Sequence, residues 1–304
     1  MVETDMFEND EFILGNKPKD INIEVSNGPP SYMKTTEALD LNQDLKYGLA
    51  GKIWHSAYML QVFFSNNGIF DPVNPIPNKY YYNNKNSDTD QKNNKIYKIL
   101  ELGAGTGYVG ITLAKMLNSS CQIYITDLEP VVPLIQENVD LHYSKDDAIN
   151  RASVFCERLH WGNQRDAELL LEKIGGGSFD LVVISDCVYF PELFQPLMNT
   201  LLQICQDDTT KVVIGYKCRS LEKETGFWDY HFGRYFDYEP VRLMGYEPKA
   251  DDNNDVNDDD ATEYGGLLGE EEQIFVFAGT RKKNGEVKEA DDQFTLLTFG
   301  NMCL

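Results

Sequence analysis

KIYKILELGAGTGYVGITLAKML, residues 95 to 117, decides how this chain folds. KIYKILELG (95 to 103) is apolar enough for a buried strand, and VGITLAKML (109 to 117) repeats its apolar residues at helical spacing. Between them stand Gly103, Gly105 and Gly107. Gly103 and Gly105 let the backbone approach a ligand where any Cβ would clash. The helix that follows points free N–H groups into the same crevice.

Working outward, the pattern repeats. CQIYITD (121 to 127) reads as a strand, VVPLIQENVDLH (131 to 142) as a helix, SVFCERLHW (153 to 161) as a strand and AELLLEKI (167 to 174) as a helix. FDLVVISD (179 to 186) is a nearly continuous apolar run, expected of a central parallel strand covered on both faces. PLMNTLLQIC (196 to 205) is the next helix, KVVIGYK (211 to 217) a fifth strand, and QIFVFAGTRK (273 to 282) a late strand. This alternation predicts an α/β fold, a parallel sheet with helices on both faces. Ahead of it, LAGKIWHSAYMLQVFF (49 to 64) reads as a turn into an apolar-faced helix, and the alternation of INIEV (21 to 25) and ALDLN (38 to 42) suggests a small N-terminal hairpin.

One domain is expected over residues 21–282, after a flexible acidic arm at 1–20. Within it, residues 71–95, rich in Pro, Asn and charge, read as a surface loop. Residues 249–266 have no apolar face and read as an acidic disordered insertion. The C-terminal tail, 283–304, carries the apolar run FTLLTF, and the sequence leaves open whether it docks.

The net charge is −22, from 49 acidic and 27 basic residues. Phosphate backbones would be repelled, so no nucleic-acid partner is expected. A lysine-rich protein surface would be attracted, although acidity can equally serve solubility alone. No stretch reaches the ~18 to 20 apolar residues that cross a bilayer, and no basic region followed by an apolar run marks a secretory signal. Neither the six cysteines nor the four histidines show ligand spacing, so no metal is expected. A cytoplasmic monomer is the expectation.

Asp127 closes the second strand about 20 residues beyond the last loop glycine, where an acid typically holds a ribose diol. Strand, glycine turn, helix and acid together point to a nucleoside site; the alternative is an empty glycine turn with Asp127 capping the next helix. Dinucleotide enzymes fit GxGxxG with glycines packed around a pyrophosphate, whereas here the loop opens as ELGAGTG, and no GK[ST] follows the glycines, so a P-loop is excluded. Asp186 ends the fourth core strand on the same rim, where it could accept a hydrogen bond from an amine, and Tyr189 could offer a ring face to the amine's stem. Both have a plainer reading as helix cap and packing. Trp161 follows the third strand, where an adenine ring would lie, and Trp54 precedes the core; either could be core packing.

ELGAGTG, an acid and three alternating glycines, resembles the signature motif of class I methyltransferases, whose cofactor is S-adenosylmethionine. Its ammonium suits an acidic site. More closely, the chain resembles the seven-strand protein-lysine methyltransferases of family 16. The resemblance is carried by Gly51-Lys-Ile-Trp54, Leu100-Glu-Leu-Gly-Ala-Gly-Thr-Gly107, Ile125-Thr-Asp127, Leu159-His-Trp-Gly162, Ser185-Asp-Cys-Val-Tyr189 and the segment KCRSLEKETGFWDYHF (217 to 232), in order. It implies a Rossmann-like seven-stranded, mostly parallel methyltransferase sheet with a small N-terminal hairpin and helix extension. It implies cofactor binding by Trp54, Gly103, Ala104, Gly105, Asp127, Trp161 and Ser185, with Asp186 and Tyr189 as the catalytic pair. Ser185 stands where the family more often has alanine. The similarity is strongest to the fungal branch acting on elongation factor 1-alpha. That implies a lysine-presenting protein as partner, with elongation factor 1-alpha the first candidate. A small-molecule or nucleobase methyltransferase, or a non-catalytic nucleoside-binding module, are the alternatives on this fold. Asp-Cys-Val-Tyr lacks the paired prolines of enzymes that methylate adenine, which argues against bases as acceptors.

Overall fold

In the computed structural model, the residues described are 29–30, 38–66, 68–82, 95–144, 147–244, 266–289, 295 and 299. Strands β1 (Tyr97–Leu102), β2 (Cys121–Asp127), β3 (Ser153–Arg158), β4 (Leu181–Ser185) and β5 (Lys211–Lys217) pair in parallel. With β6 (Phe236–Pro240) and β7 (Ile274–Arg281) they form a seven-stranded sheet in the order β3-β2-β1-β4-β5-β7-β6. Only β7 runs against its neighbours, so the sheet is mostly parallel, as the alternation predicted.

Successive side chains of a strand face opposite sides of the sheet. Here both sides are apolar, which is why the central strands read as unbroken apolar runs. On β4, Leu181 and Val183 enter one core and Val182 and Ile184 the other, all fully buried. The first core is closed by α1 (His55–Ser65), α2 (Tyr108–Met116) and α3 (Val132–His142). The second is closed by α4 (Gln164–Lys173), α5 (Pro191–Ile204) and α6 (Leu221–Gly226), which continues as a π-helical turn over Phe227–Phe232. Local chemistry starts these helices. Asn163 caps α4 by accepting the N–H groups of Arg165 and Asp166 at 3.0 and 3.2 Å, and Pro191 opens α5 where its missing N–H costs nothing.

One expectation about strands needs correction, and one strand was not anticipated. Residues 38–42 do not form a strand. Two alternating apolar residues with no partner strand among the described residues are not enough. Leu41 is buried, and the backbone of Asn42 is instead held by Asn138, which accepts its N–H at 2.8 Å and donates to its carbonyl at 3.1 Å. The other half of the expected hairpin, residues 21–25, lies outside the described residues, as do 1–20, 83–94 and 249–265. Conversely, β6 went unread: FDYEP carries two acids and ends in proline, which suits an edge strand paired only with β7. From the tail, Phe299 is fully buried against Tyr216, Trp228 and Phe277, and the Thr295 hydroxyl donates to the Asp229 carboxylate.

The strand order reverses direction between β1 and β4: the chain moves outward one way through β2 and β3, then the other way through β4 and β5. In open α/β sheets the crevice beyond the carboxyl ends of the strands at such a point is where ligands bind.

Candidate active site

Beyond β1 the chain turns sharply at Gly103 (φ +66°) and Gly105 (φ +56°). A Cβ on Gly103 would lie 2.5 Å from Cζ2 of Trp161 and 2.9 Å from the sulfur of Cys187, and one on Gly105 would lie 2.8 Å from the Ala50 carbonyl oxygen. The turn is thus a cradle that only glycine leaves open. Ala104 anchors it by donating its N–H to the Thr126 carbonyl at 3.0 Å.

Asp127 ends β2 with its carboxylate turned to that loop. Oδ2 accepts the Gly105 N–H at 2.8 Å and Oδ1 the Leu128 N–H at 2.7 Å. Each oxygen keeps a further lone pair, enough to accept the two hydroxyls of a ribose. Burial pushes the carboxyl up to about 6, against the pull of those two N–H donors. Glu101, in β1, is 1% exposed, and its Oε2 accepts the Gly110 N–H at 2.8 Å. Burial pushes its carboxyl up to about 8. Two buried carboxyls whose charged forms burial disfavours suit a ligand that brings a cation, since a nearby positive charge restores them.

Trp161 sits in the turn after β3. Asp166 accepts the His160 N–H at 3.1 Å, and the Thr200 hydroxyl accepts that of Gly162 at 2.8 Å, fixing the turn on either side of the indole. Trp54 precedes α1; its indole N–H donates to the Leu49 carbonyl at 2.9 Å, and its ring lies 4.8 Å from the Lys52 ammonium and 5.1 Å from the Arg219 guanidinium.

Ser185 is the last residue of β4, and Asp186 follows with φ +59°, a backbone region that non-glycine residues seldom occupy. The register Ser185↔Gly215 puts the β5 end beside it. There Arg219 grips the Asp186 carboxylate bidentately, Nη1 to Oδ1 at 2.8 Å and Nη2 to Oδ2 at 2.5 Å. Tyr189 is half-buried, its ring 4.6 Å from that of Phe190 in an edge-on contact, and burial holds its hydroxyl far above the ordinary titration range.

These segments meet around one cavity of about 680 Å³. All nine residues singled out from the sequence line it: Trp54, Gly103, Ala104, Gly105 and Asp127 on one hand, Trp161, Ser185, Asp186 and Tyr189 on the other. Two lining residues with strong chemistry, Glu101 and Arg219, were given no role from the sequence. Glu101 was visible as the acid opening the glycine motif, and Arg219 as the last residue of Lys-Cys-Arg after β5. The glycine cradle, the two lone pairs on Asp127 and the buried acids fit a nucleoside carrying a cationic aminoacyl group.

Comparison with known proteins agrees with this chemistry. A family model described as lysine methyltransferase matches residues 33–230. Protein-lysine N-methyltransferase EFM6 of Saccharomyces cerevisiae is 31% identical over 129 residues, 40% of this chain and 50% of that protein. Protein N-lysine methyltransferase METTL21A of Danio rerio is 28% identical over 180 residues, 59% of this chain and 65% of that one. EEF1A lysine methyltransferase 3 of Mus musculus is 34% identical over 125 residues, 41% and 45% respectively. The chain thus spans between about half and just under two thirds of the length of these relatives. With the family model matching well over half of its residues, this chain belongs to the lysine methyltransferase family, the methyltransferases of the class that draws on S-adenosylmethionine.

Proposed function

We propose that this protein is an S-adenosylmethionine-dependent protein-lysine N-methyltransferase, that its acceptor is a translation elongation factor of the 1-alpha type, and that it works in the cytoplasm as a monomer. The observation that carries the reading is the convergence on one cavity of nine residues from five separate segments of the sequence. The acceptor is suggested by a relative named for methylating EEF1A. The net charge of −22 would favour a basic protein surface. The catalytic domain is taken as residues 21–282, between an N-terminal arm and a C-terminal tail.

When bound, S-adenosylmethionine supplies an electrophilic methyl group on a sulfonium. Trp54, Gly103, Ala104, Gly105, Asp127, Trp161 and Ser185 would hold it: Asp127 by the ribose hydroxyls, Trp161 against the base, the glycines by close backbone approach. Asp186 orients the acceptor amine by accepting its hydrogen bond, and Tyr189 shapes the channel along the lysine stem. The amine must be neutral to attack, so the residues around it act by aligning it, excluding water and letting its proton leave. No covalent intermediate with the protein is required.

The test is transfer of labelled methyl from S-adenosylmethionine into unmodified elongation factor 1-alpha, with mass spectrometry of the modified residue. Asp186→Ala is expected to abolish transfer while calorimetry shows cofactor affinity nearly intact; loss of cofactor binding in that variant would contradict its role. Label appearing only in a small metabolite of a protein-depleted, RNase-treated extract would overturn the protein-acceptor reading.

A further inference from the structure

A carboxylate offers about four lone-pair positions. At Asp186, described residues take three of them: two by the Arg219 fork and one by the Lys217 N–H, which donates to Oδ1 at 3.3 Å. The Asp186 side chain is 1% exposed and that of Arg219 24%, so the pair is largely shielded from water. The geometry leaves one acceptor position and almost no net charge.

That matters for an enzyme whose acceptor arrives as an ammonium. An unpaired buried carboxylate beside the amine would favour its charged form and hold the proton on. A carboxylate neutralised by a fixed guanidinium still accepts a hydrogen bond but does not. We propose that Arg219 is a positioning residue which holds Asp186 in place and cancels its charge, so that the acceptor lysine sheds its proton at a lower pH. The inference rests on the reading of Asp186 as the group that meets the acceptor amine.

Other charges face the pair from each neighbouring element. On α1, burial lowers the pKa of His55; the charges of Lys52, before α1, and Lys217 add to that, and the charge of Asp186 opposes it. From β5, Lys217 donates its ammonium to the Glu272 carbonyl, and burial lowers its pKa. On α6, Glu224 accepts the Tyr216 hydroxyl at 2.6 Å and the Arg219 N–H at 3.1 Å, so its charge is already engaged. Asp127, from the end of β2, and Asp186 both act on the Tyr189 hydroxyl, which stays protonated. Against this background the Arg219 guanidinium makes a direct, two-pronged side-chain ion pair with Asp186.

The experiment is kcat against pH between about 6.5 and 10, with S-adenosylmethionine and unmodified elongation factor 1-alpha both saturating. Arg219→Gln, which keeps a donor without charge, should move the acidic limb up by about one to two pH units. Its kcat near pH 7 should then fall about 10- to 100-fold, a loss that shrinks as pH rises, with KM for the acceptor unchanged or lower. Arg219→Met should behave alike and serves if the Gln variant fails to bind cofactor in calorimetry. Arg219→Lys, which restores the charge, should bring the limb back to within about half a pH unit of wild type. A loss of kcat by one factor at every pH, or a limb displaced equally in the Lys variant, would overturn the proposal and leave the methyltransferase reading standing. No transfer by the wild-type enzyme at any pH would overturn the acceptor reading and this inference with it.

Discussion

Glu101→Gln separates one titration from the rest of the cavity. The carboxyl is 1% exposed and accepts the Gly110 N–H at 2.8 Å. Burial raises it from its ordinary 4.5 to about 8; the charge of Asp127 adds to the rise, and the N–H groups of Gly110 and Val109 oppose it. The folded chain therefore holds this proton more tightly than the unfolded chain. The contribution to stability is fully present below about pH 4.5 and is lost as pH rises through about 8. At about 1.36 kcal/mol per pH unit, that interval sets a ceiling of roughly 4 to 5 kcal/mol. Water reaching the cavity reduces it, so about 2 to 4 kcal/mol is expected. Glutamine keeps an acceptor for Gly110 and has no proton to lose. Urea unfolding at pH 5, 7 and 9 gives the answer: the variant should match wild type at pH 5 and exceed it by about 2 to 4 kcal/mol at pH 9. An equal difference at pH 5 and pH 9 would refute the argument from burial.

Three further outcomes are expected. Gly103→Ala drives a Cβ to 2.5 Å from Trp161 and forces alanine to a positive φ; the backbone strain alone is about 1 to 2 kcal/mol, and calorimetry should show cofactor affinity reduced at least about tenfold. Asp127→Ala strips the acceptor from the Gly105 and Leu128 N–H groups. Its cofactor affinity should fall about 100-fold, worth about 2.7 kcal/mol, and an unchanged affinity would remove the ribose role. Phe299→Ala empties a fully buried site among Tyr216, Trp228 and Phe277. It should cost about 3 to 5 kcal/mol, and an unchanged melting temperature would show that the tail does not brace the second core.

How much of this was legible in the sequence depended on whether a residue's role is local. FDLVVISD could be read as a central strand because burial on both faces makes apolar residues continuous, whatever its neighbours are. Asp127 could be read because the strand end, the glycine turn and the acid lie within one βαβ unit. FDYEP could not, since nothing in it says edge strand until β7 is laid beside it. ALDLN misled for the opposite reason, having the alternation of a strand but no partner among the described residues. The Asp186–Arg219 pair is the sharpest case. Both residues were visible, 33 positions apart, and the tie between them comes only from the sheet. Ser185 pairs with Gly215, so the residues just past each strand end emerge side by side on one rim, one carrying the acid and the other the path to the base. A carboxylate read alone looks like an ammonium clamp; read with the strand beside it, it is half of a neutral pair. The first would bind a lysine best in its unreactive form, and under the proposal the second would leave the amine free to react. The pH dependence of kcat in Arg219 variants therefore tests the sheet register as directly as it tests the chemistry.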